Sequence, residues 1–256
     1  SFSAGGDFVI NQGDIEITDG SIVVDGNFII NGGNVATNEN FFPVRMTDGN
    51  FILNDGCFKV ISDESRENET ERDFQIIVSN EHQQWIINGG EFSAAGITLD
   101  SSLTVNGGYM EVDGGGLNVG ITGQYIQHGG TVVIRSDYQG IDNQMVLSLD
   151  NRDKKRFIIT GGELQVTTRD PQYGAVEFIA ENGTALADYI EVGENMICEP
   201  TEWIVISGNE YPFVLQRNMR PSILEEKEYQ ILTLKTEGNL QEGQFPGAQT
   251  VTIRER

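Results

Sequence analysis

Carboxylates are the most numerous side chains in this sequence that could carry chemistry. Asp113, Asp137, Asp142 and Asp150 fall within one segment, and Arg135 is the basic residue near them. Paired carboxylates act as acid and base in glycoside cleavage, and a carboxylate cluster beside a base can hold calcium against an acidic sugar. A polysaccharide lyase or hydrolase is therefore one hypothesis. With 39 acidic residues some clustering arises by chance, so we assign no catalytic residue.

Other signs of chemistry are few. The sequence contains no phosphate-binding loop, no nucleophile elbow and no zinc-binding spacing. His82 lies in a polar stretch and is expected to face solvent, whereas His128 stands where the repeats described next carry Asn. We predict no cofactor, with calcium held loosely by surface carboxylates as the one possibility left open.

One phrase recurs along the chain and must position all of these residues. It has apolar residues at every second position, a polar turn ending in Gly and a second alternating run, as in FIINGGNVAT at 28–37 and WIINGGEFSA at 85–94. The residue that opens the turn recurs at intervals of 20, 23, 34, 18, 22 and 32. A period of two indicates β-strands, and Gly permits the sharp turn. The residues that open the turns are Asn11, Asn31, Asn54, Asn88, Asn106, His128 and Thr160.

Two architectures satisfy this pattern. A string of hairpins would pair each strand with its neighbour across the turn, whereas a parallel β-helix would pair each phrase with its copy about twenty residues later. The β-helix is favoured because the copies resemble one another more than the two arms of any phrase do. Equivalent residues would then stack, with an asparagine ladder at the corner. The expected apolar ladder is Ile10, Ile30, Leu53, Ile87, Val105, Gln127 and Ile159.

The predicted fold class is therefore all-β. We expect a single-stranded, right-handed parallel β-helix of roughly ten coils, with a β-helix solenoid over residues 1–197. Residues 198–256 lose the phrase and are expected to form a C-terminal cap with the final coils. Such a cap would cover apolar side chains and unpaired backbone groups of the last coil.

The aromatic residues that open the phrases have two interpretations. They form either an exposed strip on which sugar rings stack or an internal aromatic column, and the in-phase apolar partners favour the column. These aromatics are Phe8, Phe28, Phe51, Trp85, Tyr125 and Phe157.

The two cysteines, Cys57 and Cys198, are about seven coils apart in the predicted helix. A disulfide needs Cα atoms within about 7 Å, so no intramolecular disulfide is expected. Each is predicted to be a buried thiol, with a bridge between subunits as the minor alternative.

The C-terminal segment carries a family resemblance. The run YQILTL from Tyr229, followed by GNL from Gly238 and GQF ending at Phe245, resembles the closing coil of autotransporter-passenger-like β-helix proteins. The upstream phrases are likewise similar to the loose repeats of adhesin and filament solenoids of that type. The resemblance implies a right-handed parallel β-helix, export, and a role at or beyond the cell surface. The outer-membrane barrel of true autotransporters is not among these 256 residues.

Composition restricts the partners. The formal net charge of −23 would repel nucleic acids and anionic lipid, and no apolar run reaches the roughly 20 residues that span a bilayer. We therefore expect no nucleic acid and no membrane insertion. Acidity with many Gly, Asn and Thr residues is typical of exported proteins, so an extracellular or cell-surface location is predicted.

Phe8 opens a phrase after only seven residues, which leaves little sequence here for an N-terminal cap. An uncovered coil offers free backbone groups to another chain, so the leading hypothesis is a homo-oligomeric or filamentous subunit of a surface fibre, sheath or layer. Its assembly edge would include Phe8, Ile10, Tyr229 and Phe245. The alternative is an adhesin stalk or a module that binds cell-surface glycans, and a polysaccharide-acting enzyme is the third.

Overall fold

The computed structural model describes fourteen segments of the chain. They are residues 2–18, 20–37, 44–60, 75–78, 83–119, 123–136, 147–150, 157–168, 176–179, 190–192, 196–199, 205–206, 214–215 and 229–236. Within these segments the regular structure is entirely β-strand, and no helix occurs.

Each of the first three coils contains three short strands. The first coil comprises β1 (Phe2–Ala4), β2 (Phe8–Ile10) and β3 (Asp14–Ile17). The second comprises β4 (Ile22–Val24), β5 (Phe28–Ile30) and β6 (Asn34–Thr37), and the third comprises β7 (Val44–Met46), β8 (Phe51–Leu53) and β9 (Cys57–Val60).

The middle of the chain repeats this order with longer strands. The strands are β10 (Gln75–Val78), β11 (Gln84–Ile87), β12 (Glu91–Leu99), β13 (Ser102–Val105), β14 (Tyr109–Val119), β15 (Gln124–Gln127) and β16 (Thr131–Ser136).

The remaining strands continue the parallel pairing up to β21, and the pairings that involve β22 to β25 are antiparallel. They are β17 (Leu147–Asp150), β18 (Phe157–Ile159), β19 (Glu163–Thr168), β20 (Val176–Ile179), β21 (Ile190–Val192), β22 (Met196–Glu199), β23 (Val205–Ile206), β24 (Val214–Leu215) and β25 (Tyr229–Thr236).

Strands pair with their equivalents in the next coil and not with their neighbours in sequence. The first sheet is β1-β4-β7, and the second is the eight-stranded β2-β5-β8-β11-β13-β15-β18-β21. The third is the twelve-stranded sheet that runs from β3 through β6, β9, β12, β14, β16 and β19 to β25 and β22, with β10, β17 and β20 joined to it at the side. Every pairing from β1 to β21 is parallel. The predicted fold class is confirmed: the chain is an all-β parallel β-solenoid, and the hairpin alternative is wrong.

The register follows the sequence phrase. Phe28 lies beside Phe8 on one side and Phe51 on the other, and Ile30 lies likewise between Ile10 and Leu53. Because every second residue of a strand points to the same side, both positions face the interior in each coil. The core therefore consists of columns of equivalent residues running along the solenoid axis.

The interior contains two aromatic columns that contact each other. Phe28, Phe51 and Trp85 stack along the second sheet, with ring centroids 5.7 and 4.4 Å apart. Phe58 and Phe92 stack along the third sheet at 5.5 Å, and they meet the first column edge to face. Edge-to-face and offset stacking are the favourable aromatic geometries, so the two columns tie the sheets together across the core.

The C-terminal strands depart from the parallel pattern. Strand β25 pairs antiparallel with β19 and with β22, so it extends the third sheet without adding a further parallel coil. The proposed boundary between residues 197 and 198 falls inside β22. The number of coils, the handedness and the C-terminal cap remain predictions.

Candidate functional site

A row of asparagine side chains runs along the exposed corner between the second and third sheets. Each Asn Nδ2 donates to the Oδ1 of the equivalent residue one coil earlier. The bonds are Asn31 to Asn11 at 2.9 Å, Asn54 to Asn31 at 2.7 Å, Asn88 to Asn54 at 2.7 Å, and Asn106 to Asn88 at 2.8 Å. Further along the same corner, His128 Nδ1 lies 2.7 Å from Thr160 Oγ1. We call these seven residues the corner ladder.

The glycine that ends each turn is required by backbone contact as well as by conformation. Gly108 has φ of +78°, and a Cβ built there would lie 2.5 Å from the carbonyl oxygen of Gly90 in the preceding coil. Gly13 in the first coil has φ of +96°, but a Cβ there would meet nothing within 4 Å. Stacked turns therefore leave no room for a side chain at this position, except at the open first coil.

A second polar row lies at the other edge of the second sheet, and the sequence analysis missed it. Asp7 Oδ1 accepts from the backbone nitrogen of Asn27 at 2.7 Å, and Asn27 Oδ1 accepts from Asn50 N at 2.9 Å. Asn50 Oδ1 then accepts from Gln84 N at 2.9 Å. The signal was present, because Asp7, Asn27 and Asn50 each immediately precede an aromatic residue that opens a phrase.

The corner ladder should contribute measurably to stability. Asn54 donates one side-chain bond and accepts another, whereas Asn11 only accepts within the ladder. At about 0.5–1.5 kcal/mol per bond, Asn54→Ala should lower the free energy of unfolding by about 1–2 kcal/mol, and Asn11→Ala by about half as much. Urea denaturation of both variants measures the difference. Equal losses would show that the amide bonds between coils do not act as a ladder.

Gln127 is the polar member of the otherwise apolar column of Ile10 and its equivalents. It is fully buried, and its Oε1 accepts from the hydroxyl of buried Tyr125 at 2.9 Å. Its Nε2 donates to the carbonyl oxygen of Glu163 at 3.0 Å. Burial also raises the pKa of Tyr125 far above the usual value, so this hydroxyl stays protonated and remains a donor. Tyr125 stands where most other phrases have Phe or Trp, and Gln127 stands where they have an aliphatic residue. The two buried polar groups hydrogen-bond to each other within one coil.

The phrase-opening aromatics do not form an exposed sugar-binding strip where their side chains are described. Phe28, Phe51, Trp85 and Tyr125 are buried, and Phe8 is partly buried at the end of the column. Phe157 takes the same register beside Tyr125 in β18. The internal aromatic column is the arrangement that the structure has.

The predicted carboxylate cluster is only partly within the described residues. Arg135 is paired through Nη1 with Glu111, and the same nitrogen lies 3.8 Å from Asp113 Oδ2. Tyr109 adjoins them, and burial together with the charge of Glu111 raises its pKa. Arginine keeps its proton at ordinary pH, so Arg135 is a permanent cation. Glu111 and Asp113 lie close enough to neutralise its charge. This arrangement is an ion-pair cluster on the outer surface of the third sheet.

The other acidic candidates are not brought into this cluster by the described structure. Asp150 ends β17, which pairs with β14 through Leu147 to Leu149 and with β20. Asp137, Asp142 and His82 lie outside the described residues. Within the described segments no group of three His, Cys, Asp or Glu side chains could hold a metal ion.

Cys57 is a free, half-buried thiol in β9, directly beside Glu91 of β12. Burial is the main cause that raises its pKa, the charge of Glu91 raises it further, and Lys59 opposes the shift. Cys198 lies in β22, and only its strand is described. The thiol of Cys57 is therefore held in its less reactive, protonated form.

Alkylation should report this shift in pKa. In a Cys198→Ser background, iodoacetamide should react with Cys57 more slowly at pH 8 than with free cysteine, because the thiolate is the nucleophile. Because the pKa of Cys57 is raised only in the folded state, its contribution to the free energy of unfolding is fully present below the ordinary thiol pKa. It is lost as the pH rises from the ordinary pKa to the raised pKa of the folded state. Adding Glu91→Gln should speed the reaction. A rate equal to that of free cysteine would contradict the assignment.

The residues predicted as an assembly edge fall in different parts of the fold. Phe8 and Ile10 lie in β2, the first strand of the second sheet. Tyr229 begins β25, where it pairs with Thr168 in the antiparallel part of the third sheet. Phe245 lies outside the described residues. The structure thus brings Phe8 and Ile10 together in one strand and places Tyr229 in a strand of a different sheet.

The search for membrane spans gave a negative result: in the segments that the structure describes, no helix has the length and hydropathy needed to cross a bilayer. Comparisons of the chain with protein-family models, with curated proteins and with solved structures found no match.

Proposed function

We propose that this protein is an extracellular structural solenoid whose copies dock end to end to build a surface fibre, sheath or layer. In this role the protein would resemble the autotransporter-passenger-like solenoids of adhesins and filaments. One observation carries it, namely that each described coil repeats the strands, apolar columns and corner amides of the coil before it, so that a coil of a second copy can continue all three.

Except for Ile10, core-facing side chains of the first coil are partly exposed where their equivalents one coil later are buried. Phe2 is 40% exposed, whereas Ile22, which pairs with it, is 1% exposed. Ile15 and Ile17 of β3 are half-buried, and Val35 beside Ile15 is fully buried. Apolar surface of this kind gains free energy when another coil covers it. The end of the solenoid therefore offers an apolar surface with the shape of one coil.

The backbone at this end can accept a further strand in each sheet. Among the described strands, β1, β2 and β3 pair only with β4, β5 and β6. An edge strand with free backbone groups pairs readily with another chain, and the bonds would add to the apolar contact. Three such strands on one coil give three sites of strand addition in one plane.

The occupant that we propose is the C-terminal end of a second copy, where β21 is the last strand of the second sheet. Within the chain, successive coils from Asn11 to Asn106 are joined at the corner by amides that each donate to the equivalent residue one coil earlier. Head-to-tail contacts of this type do not close, so they generate filaments. A further coil of the same polypeptide before Phe2 would serve the same edge.

Electron microscopy of the purified 256-residue chain tests the proposal. Long filaments with an axial repeat near 4.8 Å in diffraction are expected, because docking continues the strand spacing of the solenoid. Short monomeric rods over a wide range of concentration would overturn self-assembly. Rods that bind neutral or acidic glycans would favour the adhesin or glycan-binding alternative, and cleavage of acidic polysaccharides would favour an enzyme.

A substitution at the open corner distinguishes docking from folding. Gly13→Ala should leave the chain folded, because no atom lies within 4 Å of the added Cβ. In a docked pair that Cβ would meet the neighbouring coil, as a Cβ on Gly33 would meet Gly13 within the chain. We expect at least a tenfold slower filament growth by light scattering, with unchanged circular dichroism. Growth at the wild-type rate would contradict docking at this edge.

A further inference from the structure

The outer surface of the second sheet carries three regular rows of side chains, which we call the amide-aliphatic face. The central row is apolar and β-branched, and the flanking rows are mainly Asn and Gln. The central row is Val9, Ile29, Ile52, Ile86, Thr104, Ile126 and Ile158, and Glu191 of β21 follows Ile158 in the same register. One flank is Asp7, Asn27, Asn50, Gln84, Ser102 and Gln124, and the other is the corner ladder.

The central row faces outward and is not part of the core. Val9 is 44% exposed, and Ile29, Ile52 and Ile86 are half-buried between fully buried neighbours in their strands. In a sheet with one face in water, the outward positions normally carry polar residues. Six of the seven positions from Val9 to Ile158 are aliphatic, with Thr104 as the exception, and they form an apolar stripe that water alone does not explain.

This face is also nearly free of charge, although the chain has a net charge of −23. Apart from Asp7 in the first coil and Glu191 in β21, none of the described residues in its three rows is Asp, Glu, Lys or Arg. The outer surface of the third sheet is different, because Glu16, Lys59, Glu111 and Arg135 all lie on it. The charged residues described on the amide-aliphatic face are thus confined to its two ends.

We infer that the amide-aliphatic face is a lateral contact between two copies of this chain. Two copies with 23 excess negative charges each repel one another, and the face whose described charged residues are confined to Asp7 and Glu191 at its ends is the side on which they meet with the least repulsion. A two-fold axis in the plane of contact places the aliphatic row on the aliphatic row and amide row on amide row. The apolar side chains then pack as between stacked sheets, about 10 Å apart.

The size of the face shows how this contact would act. The seven strands of the second sheet from β2 to β18 at about 4.8 Å, with five residues each at about 3.3 Å, give an area of about 550 Å² per copy. A stable dimer buries about 800 Å² per partner, so one pair of faces binds weakly. Along an end-to-end fibre the faces repeat, and many weak contacts act together. In this respect the inference rests on the proposed fibre, and its consequence is that fibres pair side by side.

The decisive comparison uses two lysine substitutions at outward, half-buried positions of the same coil. Ile86→Lys places a charge on the amide-aliphatic face, and Ser93→Lys places the same charge on the outer surface of the third sheet. Electron microscopy should show paired filaments for the wild type and Ser93→Lys. It should show single filaments of normal length for Ile86→Lys, with at least a tenfold lower paired fraction. Thr104→Lys repeats the test at a polar member of the row if Ile86→Lys does not fold.

Each outcome decides the inference. Single wild-type filaments, or equal pairing in Ile86→Lys and the wild type, would overturn it. If the wild type forms no filaments, the end-to-end proposal fails by itself, and sedimentation equilibrium of the chain then tests the face. A weak dimer that Ile86→Lys abolishes and Ser93→Lys retains supports the contact, whereas a monomer at every concentration overturns it.

Discussion

Replacing Gly108 with alanine is expected to cost about 4 kcal/mol or more of the free energy of unfolding. Two effects add at this residue. Its φ of +78° is unfavourable for alanine, and the new Cβ would lie 2.5 Å from the carbonyl oxygen of Gly90 and 2.7 Å from the carbonyl carbon of Gly89. Backbone atoms of a stacked turn cannot move aside without breaking the parallel pairing of both coils. Losses of this size are confined to such steric or buried defects.

Gly13→Ala is the matched control. It has the same place in the phrase and a φ of +96°, but nothing lies within 4 Å of its Cβ direction. The backbone conformation alone should cost about 1–2 kcal/mol. Guanidinium denaturation of both variants, measured at a concentration too low for assembly, gives the difference. Similar losses in the two variants would show that the coils are not stacked at the corner as described.

Truncating Phe51 is expected to cost about 3–5 kcal/mol, because it joins the two aromatic columns. Its ring centroid lies 5.7 Å from Phe28, 4.4 Å from Trp85 and 5.0 Å from Phe58. Phe51→Ala would leave a cavity between three coils, and each coil depends on its neighbours for burial. Thermal and denaturant unfolding measure the loss.

Phe2→Ala provides the contrast for this prediction. Phe2 is also aromatic and faces the interior, but it is 40% exposed and lies at the end of the column, 4.6 Å from Phe8. Its removal should cost less than about 1.5 kcal/mol. A loss at Phe2 equal to that at Phe51 would contradict the view that stability comes from aromatic contacts within the stack.

Much of the fold could be predicted because a solenoid repeats in sequence what it repeats in space. Phe28 and Phe51 occupy the same place in successive phrases, so a constant register brings them into contact. The corner residues follow in the same way, since Asn31 and Asn54 are equivalent positions one coil apart. In most folds contacting residues share no sequence period, and such contacts cannot be read directly.

The second polar row and the ion-pair cluster could not be predicted from the repeat in this way. Asn27 and Asn50 act through their side-chain oxygens on the backbone of the following coil, and composition alone does not distinguish that role from solvent exposure. Arg135 was weighed as a base beside Asp113, but its nearest partner is Glu111, two residues earlier on the same strand as Asp113. Which carboxylate pairs with an arginine depends on differences of a few ångströms in the distances between side chains on neighbouring strands.

By itself, the sequence determined the strand period, the turn positions and the residues that face the core. Alternation of apolar residues fixes which side of a strand is buried, and glycine fixes where the chain can turn. Only the tertiary structure decided between pairing across a turn and pairing between coils, since both satisfy the same alternation. It also decided that β25 runs antiparallel against β19 and that a mainly aliphatic row faces outward on the second sheet. The pairing partner of a strand is set by long-range packing, which a local pattern does not contain.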